Sequence, residues 1–176
     1  MGRSGDGDKG PMIIRTAIIT LSDKGARGER EDESGMVIRD MVARIGADVR
    51  HYEVLPDERE RIADVLKRHA DSGEIDLILT TGGTGVAPRD VTPEATREVI
   101  ERELPGMCEA MRAESLKKTP HAMISRAVAG IRNRTLIVNL PGSPRAVREN
   151  LAVILPALIH TIEKIKGDPS DCARLL

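Results

Sequence analysis

Runs of apolar, β-branched residues alternate with amphipathic segments along most of the chain, and this alternation constrains the fold more than any other feature. Residues 75–81, IDLILTT, form a continuous apolar run, which is typical of a parallel strand whose sheet is covered on both faces. Strand-like runs at 12–21, 48–55 and 135–140 are likewise followed by a polar loop and a helical pattern. The alternation predicts an α/β fold in which a mostly parallel sheet lies between layers of helices.

Helical spacing of apolar residues and helix-start signals mark the segments between these strands. The predicted helices span residues 34–46, 57–73, 92–101 and 106–118 and a long segment that begins at 143. Thr92 is the predicted N-cap of the third helix, with Pro93 as its first helical residue. Ser143 and Pro144 open the last helix, and Pro156 is expected to bend it.

The length of 176 residues fits one domain, predicted over residues 12–166, with a loose N-terminal tail at 1–11 and a C-terminal tail at 167–176. The first residues carry no apolar segment of the kind that marks a chain for export, so the chain is expected to be cytoplasmic. No apolar run approaches the roughly 20 residues of a membrane span, and we expect no membrane association.

Composition argues against nucleic acid as a partner. The chain has 27 basic and 28 acidic residues, and so lacks the positive surplus that neutralises phosphate backbones. It has no Trp, no Phe and a single Tyr, Tyr52, which removes the platforms on which bases stack. Cys108 and Cys172 lie far apart without metal-ligand spacing, and the four histidines share no spacing, so we expect no disulfide, zinc site or catalytic histidine.

Polar or glycine-rich residues directly follow every predicted strand. Because ligands of parallel sheets bind beyond the carboxyl ends of the strands, these loops are expected to share one rim. The sequence therefore predicts a single pocket lined by residues from all four loops. Its predicted members are Ser22, Asp57, Gly82, Asp90 and Gly142.

Residues 82–85, GGTG, are the most distinctive of these loops. They do not form a Walker loop, because no Gly-Lys-Ser/Thr follows, and Pro88 stands where a dinucleotide fingerprint needs its third glycine. The glycines at positions 5, 7 and 10 match that fingerprint in spacing but precede the first strand, so we interpret them as a chance match. Bare glycine backbone lets N–H groups approach an anion, which favours a phosphate or a tightly held polar ring as ligand.

Each of these features also has a purely structural interpretation. The glycines could serve simply to make a tight turn, without binding a ligand. Asp57 with Glu60 fits a capping box. Asp90 could accept a hydrogen bond in an Asx turn that leads into Thr92, and Ser143 could be a helix N-cap without any ligand. Their convergence on one rim favours the functional interpretation, because independent caps and turns need not share a rim.

The segment 80–85, TTGGTG, followed by 88–94, PRDVTPE, resembles the signature of the molybdenum cofactor biosynthesis family that includes MogA, MoaB and the G domains of gephyrin-type proteins. The resemblance covers about residues 13–165. Further family landmarks are similar to Ser22-Asp23, Gly28, Asp32, Ser34-Gly35, Pro56-Asp57, Pro105-Gly106, Ser125-Arg126 and residues 139–142.

The resemblance implies a three-layer α/β/α molybdopterin-binding fold of the MogA type, a homotrimer, and adenylylation of molybdopterin with ATP and Mg²⁺ to give molybdopterin-AMP and pyrophosphate. A protein that inserts molybdenum is an implied partner. Asp57 and Asp90 are the implied catalytic carboxylates and metal ligands. The implied substrate and nucleotide-binding residues are Ser22, Asp23, Thr81, Gly82, Gly83, Thr84, Gly85, Arg89, Pro141, Gly142 and Ser143.

This chemistry suits the residues, because nucleotidyl transfer needs mainly positioning and charge neutralisation by carboxylate-held Mg²⁺ and backbone N–H groups. Ser143, at a helix N-terminus, could hold the terminal phosphate of molybdopterin. Two alternatives stay open: a non-catalytic molybdopterin-binding or scaffold protein, and a nucleotide pyrophosphatase on the related fold. Arg89-Asp90 after the glycine loop argues against the pyrophosphatase.

Overall fold

A computed structural model describes residues 12–169, and its centre is one six-stranded sheet with the order β2-β1-β3-β6-β5-β4. The first four strands in this order are parallel, and β5 and β4 are antiparallel to their neighbours. The strands are β1 Ile14–Leu21, β2 Ala47–Leu55, β3 Leu77–Thr81, β4 Arg102–Glu103, β5 Ala129–Arg132 and β6 Thr135–Leu140. The predicted mostly parallel sheet is confirmed.

Helices cover both faces of the sheet and give it three layers. The helices are α1 Asp23–Ala26, α2 Glu33–Ala43, α3 Arg59–Asp71, α4 Thr92–Val99, α5 Pro105–Leu116 and α6 Pro144–Ile165, with a 3₁₀ helix at Pro120–Ile124. Apolar residues of α2, α5 and α6 pack in one core cluster, and those of α3 and α4 pack in the other. The predicted α/β/α architecture is confirmed.

The two cores follow from the period-two alternation of the buried strands. In β1, Ile18 belongs to the cluster under α2 and α6, whereas Ile19 belongs to the cluster under α3. In β3, Leu77 and Leu79 face the first cluster and Ile78 the second. Both faces of these strands are therefore buried, which explains why β3 is apolar at consecutive positions.

The antiparallel edge is the part of the sheet that the sequence did not predict. Strand β4 has two residues and β5 has four, and β5 turns into β6 through Asn133, the only non-glycine residue with positive φ (51°) among residues 12–169. Asn tolerates this left-handed conformation better than most residues. The antiparallel strands leave the parallel part of the sheet, with its four carboxyl ends, intact.

The helix starts were predicted with mixed success. Ser143 is the N-cap of α6, where its hydroxyl oxygen accepts a hydrogen bond from the Ala146 amide at 3.2 Å. Thr92 was wrong as an N-cap: Val91 holds that position, and the Thr92 hydroxyl donates to the Gly82 carbonyl oxygen at 2.9 Å. The hydroxyl thus fixes the glycine loop instead of the helix end. Helix α6 continues through Pro156, and its bend stays a prediction.

Several remaining predictions concern the cysteines, the ends of the chain and membranes. Cys108 is buried in the first core cluster, and burial raises the pKa of its thiol to about 11. Cys172 and the glycines at 5, 7 and 10 lie outside the described residues. Between residues 12 and 169, no helix combines the length and apolar character of a membrane span.

Candidate active site

A cavity of about 330 Å³ opens at the carboxyl ends of the parallel strands. It is lined by Thr20, Leu21, Ser22, Gly25, Arg30, Glu31, Asp32, Glu33, Ser34, Asp57, Thr81, Gly82, Gly83, Asp90, Gly142, Ser143 and Pro144. All five residues predicted to share one pocket are among them, so that prediction is confirmed. Of the other predicted site residues, Thr81, Gly83 and Ser143 also line this cavity.

Asp57 reaches the cavity from the loop after β2 and is tied to the loop after β1. The Asp23 amide donates to Asp57 Oδ2 at 3.1 Å, and the Asp57 amide donates to Asp23 Oδ1 at 3.0 Å. The capping-box interpretation of Asp57 is wrong, because Glu58 is the N-cap of α3 and no side chain caps that helix. The reciprocal bonds hold the Asp57 carboxylate against the glycine loop.

Burial raises the pKa of Asp57 above its ordinary value, because a charged carboxylate is poorly solvated in the cavity wall. The Asp23 amide and Arg89 oppose this shift, while the charges of Asp23 and Asp90 add to it. The cavity thus places Asp57 near a second carboxylate. A cation between the two would remove this repulsion.

The glycine loop needs glycine for packing, whether or not it binds a ligand. Gly82 and Gly83 have φ values of 99° and 64°, in the left-handed region that favours glycine. A Cβ on Gly82 would stand 2.3 Å from the Leu21 carbonyl oxygen, and one on Gly83 would stand 2.4 Å from Thr92 Oγ1. The tight-turn interpretation is therefore correct as far as it goes, and it is compatible with a ligand.

The two carboxylates lie directly against this loop. A Cβ on Gly83 would be 3.0 Å from Asp57 Oδ1, and one on Gly85 would be 2.8 Å from Asp90 Oδ2. Asp90 Oδ2 accepts from the Ala87 amide at 2.9 Å, so the bond runs back into the loop and the predicted Asx turn towards Thr92 is wrong. Bare backbone and two acids therefore meet in the wall of one cavity.

Arg89 and Asp23 lie at the rim and do not line this cavity. The Arg89 guanidinium donates to Asp23 through Nε at 2.9 Å and Nη2 at 2.7 Å. Hydrogen bonding to Arg89 lowers the pKa of Asp23, with a smaller contribution from the Asp57 amide. Both residues face a neighbouring depression that Pro56 and Glu58 also line.

Thr84, Gly85 and Pro141 line a second cavity, of about 240 Å³, on the other side of the glycine loop. Its other walls come from α5, the 3₁₀ helix and the start of α6, and it includes Ile124 and Asn150. The predicted site residues are thus divided between two adjacent cavities and the rim.

The loop before α2 supplies much of the first cavity. The sequence marked Asp32 and Ser34 there only as family landmarks and gave them no place among the predicted site residues. Asp32 caps α2 by accepting from the Gly35 amide at 2.9 Å, and its other oxygen accepts from Thr20 Oγ1 at 2.6 Å and from the Tyr52 hydroxyl. The pKa of Tyr52 is raised, mainly by burial and secondly by the hydrogen bond to Asp32. Ser34 Oγ donates to the Gly142 carbonyl oxygen at 2.7 Å. In the sequence, the spacing of Asp32 and Gly35 was the signal that could have indicated this helix cap and its loop.

The first cavity could hold Mg²⁺. Mg²⁺ is usually held by one or two carboxylates together with substrate phosphates and water, not by a full protein cage. Among residues 12–169, no group of three or more His, Cys, Asp and Glu side chains is arranged as a metal site. Asp57 and Asp90 supply two carboxylates beside backbone that a phosphate can approach, so the residues fit a metal that arrives with a nucleotide.

Comparisons with known proteins agree with one another. Residues 17–160 match the family described as "Probable molybdopterin binding domain". A Helicobacter pylori protein named molybdopterin adenylyltransferase is 43% identical over 159 residues, which cover 89% of this chain and 90% of that protein. Gephyrin of Dictyostelium discoideum is 43% identical over 164 residues, which cover 88% of this chain and 23% of gephyrin.

A solved structure shows the same fold. The molybdopterin biosynthesis enzyme MoaB from Thermus thermophilus is 52% identical and superposes with a TM-score of 0.83. The match covers 90% of this chain and 100% of that one.

Proposed function

The chain belongs to the molybdopterin-binding domain family of molybdenum cofactor biosynthesis, and from this membership we propose that it adenylylates molybdopterin with ATP and Mg²⁺. The family resemblance inferred from residues 80–94 is confirmed. In the proposed reaction a terminal phosphate oxygen of molybdopterin forms a bond to the α-phosphorus of ATP. The bond from that phosphorus to the β-phosphate oxygen breaks, and pyrophosphate leaves.

The observation that carries the proposal is the meeting of Asp57, Asp90 and the glycine loop in one cavity. Bound Mg²⁺ would neutralise charge on the phosphate oxygens during transfer. Asp57 and Asp90 would hold that cation, and the backbone at Gly82 and Gly83 would let the nucleotide phosphates approach. The raised pKa of Asp57 supports this role, because a carboxylate that burial disfavours gains from a cation.

The two adjacent cavities give room for both substrates, with the nucleotide and the molybdopterin phosphate in the first cavity and the pterin ring in the second. Ser143 caps α6 in the first cavity, where the amide groups of the helix N-terminus and its own hydroxyl can donate to the molybdopterin phosphate. The second cavity, with Ile124 and Pro141 in its wall, suits the flat pterin ring. Both substrates would then meet beside Asp90.

The test is incubation of the protein with molybdopterin, ATP and Mg²⁺, followed by mass spectrometry for molybdopterin-AMP and an assay for pyrophosphate. We expect both products, and neither when molybdopterin or Mg²⁺ is omitted. Stoichiometric binding of molybdopterin without product would support the binder or scaffold alternative. Consumption of ATP without molybdopterin would support the pyrophosphatase.

The homotrimer, the metal-inserting partner and the cytoplasmic location are also proposals. Exposed apolar side chains support assembly: Val86, Met123 and Ile124 are 63%, 73% and 50% exposed. Gephyrin, of which this chain matches less than a quarter, supports a partner, because that protein carries further chain beside the matched part. Light scattering after size-exclusion chromatography measures the assembly directly.

A further inference from the structure

Arg126 joins both ends of the segment that carries Asp90. Its Nε donates to the Gly85 carbonyl oxygen at 2.6 Å, and its Nη2 donates to the Asp90 carbonyl oxygen at 2.7 Å. The Arg126 amide also donates to the Thr84 carbonyl oxygen at 2.8 Å. One residue from the stretch before β5 therefore holds the loop from residue 84 to residue 90.

Glu94 fixes the guanidinium in turn. Nη1 of Arg126 donates to Glu94 Oε1, and hydrogen bonding to Arg126 lowers the pKa of Glu94. Glu94 lies in the first turn of α4, the helix whose Thr92 holds the Gly82 carbonyl oxygen. The guanidinium thus links the Asp90 loop to the same helix that fixes the glycine loop.

Packing does little to hold this segment in place. Residues 86–89 are all exposed, and Val86 is 63% exposed. The bonds between Asp90 and Ala87 lie within the segment, and the Arg89 pair with Asp23 ties it to another surface loop. The Arg126 bonds connect it to the stretch before β5 and, through Glu94, to α4.

We infer that Arg126 is a positioning residue that sets the place of the Asp90 carboxylate in the cavity without touching the reacting atoms. This inference rests on the proposed function, in which Asp90 holds the metal. The hydrogen bonds of Arg126 need a planar guanidinium with several N–H groups in fixed directions, which the single ammonium group of lysine cannot supply. Arg126→Lys should therefore keep the positive charge but no longer hold the Asp90 segment in place.

The experiment compares Arg126→Gln and Arg126→Lys with Arg132→Gln. Arg132 is a matched control, because it also bonds a carbonyl oxygen, that of Val99 at 3.1 Å, and pairs with a carboxylate, that of Asp71. It does not line the cavity. The readouts are the Mg²⁺ concentration for half-maximal adenylyl transfer, the affinity for Mg²⁺·ATP by calorimetry, hydrogen exchange of residues 85–90, and the melting temperature.

We expect both Arg126 variants to need on the order of tenfold more Mg²⁺, because small displacements of a reacting group are costly. Their loop amides should exchange faster, and Arg132→Gln should change only the melting temperature. Unchanged Mg²⁺ dependence in Arg126→Gln, or an equal shift in Arg132→Gln, would overturn the inference. If the wild type forms no molybdopterin-AMP, the proposed function fails, and the calorimetric arm decides alone: equal Mg²⁺·ATP affinity of wild type and Arg126→Gln, or no binding by the wild type, overturns the inference.

Discussion

Asp57 should make catalysis depend on pH in a way that Mg²⁺ modifies. Burial raises its pKa, so the carboxylate is protonated at a higher pH than an exposed aspartate, and kcat/KM should fall as pH drops through this raised value. Mg²⁺ competes with the proton for the carboxylate, so higher Mg²⁺ should move the acid limb to lower pH. Kinetics from pH 4 to 8 at two Mg²⁺ concentrations measure this, and an acid limb that Mg²⁺ does not move would argue against Asp57 as a ligand.

Arg30 is the one basic side chain among the described residues that line the first cavity, which also has five carboxylates. We expect Arg30→Ala to raise the KM for ATP by about threefold to tenfold with little change in kcat, because an exposed charge attracts phosphate in bound and reacting states alike. Arg27→Ala is the control, since Arg27 lies on the same loop but pairs with Glu29. Equal effects of the two variants would count against a specific role for Arg30.

Residue types and strand ends sufficed to predict where the acids lie, but not what each one contacts. Asp57 bonds to Asp23, 34 residues away, and Arg89 bonds to the same aspartate across 66 residues. Local spacing instead suggested a cap for Asp57, and the family resemblance implied a ligand contact for Arg89 without its bond to Asp23. Such pairings depend on which loops the fold brings together, and a local pattern does not contain that information.

At the scale of elements, the glycine loop makes the sharpest prediction. A Cβ at Gly83 would meet Thr92 Oγ1 and Asp57 Oδ1 at a φ of 64°, so Gly83→Ala should lower stability by more than the roughly 1–2 kcal/mol of a left-handed alanine. It should also remove the rise in melting temperature that Mg²⁺·ATP with molybdopterin gives the wild type.

Gly73→Ala is the matched control for this variant. Gly73 has a φ of 72° with no atom within 4 Å of the added Cβ, and it does not line the first cavity. It should lose stability through strain alone and keep the full stabilisation by ligands. Equal ligand-induced rises in melting temperature in the Gly83 and Gly73 variants would show that the glycine loop is not part of the binding site.

The elements with strong periodic or continuous apolar patterns were predictable, and the short ones were not. β6 is TLIVNL in both prediction and structure, because five of its six residues are apolar or β-branched and all six are buried. β4 and β5 have too few residues for any periodicity to emerge. The turn at Asn133 pairs β5 with β6, whereas β4 pairs with β5 across the long stretch of chain that contains α5. Thr92 was misassigned because a hydroxyl beside a helix start can bond to a neighbouring loop as well as to its own helix.

At the scale of the whole molecule, Asp76 links three elements at the edge of the sheet opposite the cavity. Burial would raise its pKa, but hydrogen bonds from Arg15 and Lys166 outweigh burial and lower the pKa to about 2. Arg15 belongs to β1, and Lys166 is the C-cap of α6. Asp76 therefore ties the first strand and the last helix to the start of β3.

Because the folded-state pKa is depressed, the stabilisation from Asp76 is complete above the ordinary value of 3.8 and is lost as pH falls through about 2. A shift of this size corresponds to about 2 kcal/mol of unfolding free energy. Asp76→Asn should lose about that much at pH 7 and show a weaker acid dependence, as measured by urea denaturation. Asp71→Asn, in an exposed pair with Arg132, should change little, and an equal loss in both variants would refute the assignment.

A labelled single turnover tests whether the chain transfers AMP to molybdopterin with a metal held by Asp57 and Asp90. With ATP labelled at the α-phosphorus, the wild type should place the label in molybdopterin-AMP. Asp90→Asn should bind molybdopterin normally but transfer the label at least about 100-fold more slowly, because the amide keeps the shape and loses the charge. Asp48→Asn, far from the cavity in an exposed pair with Arg50, should match the wild type. If the wild type transfers no label to molybdopterin, the chain is not an adenylyltransferase, and if Asp90→Asn transfers the label at the wild-type rate, Asp90 does not hold the metal.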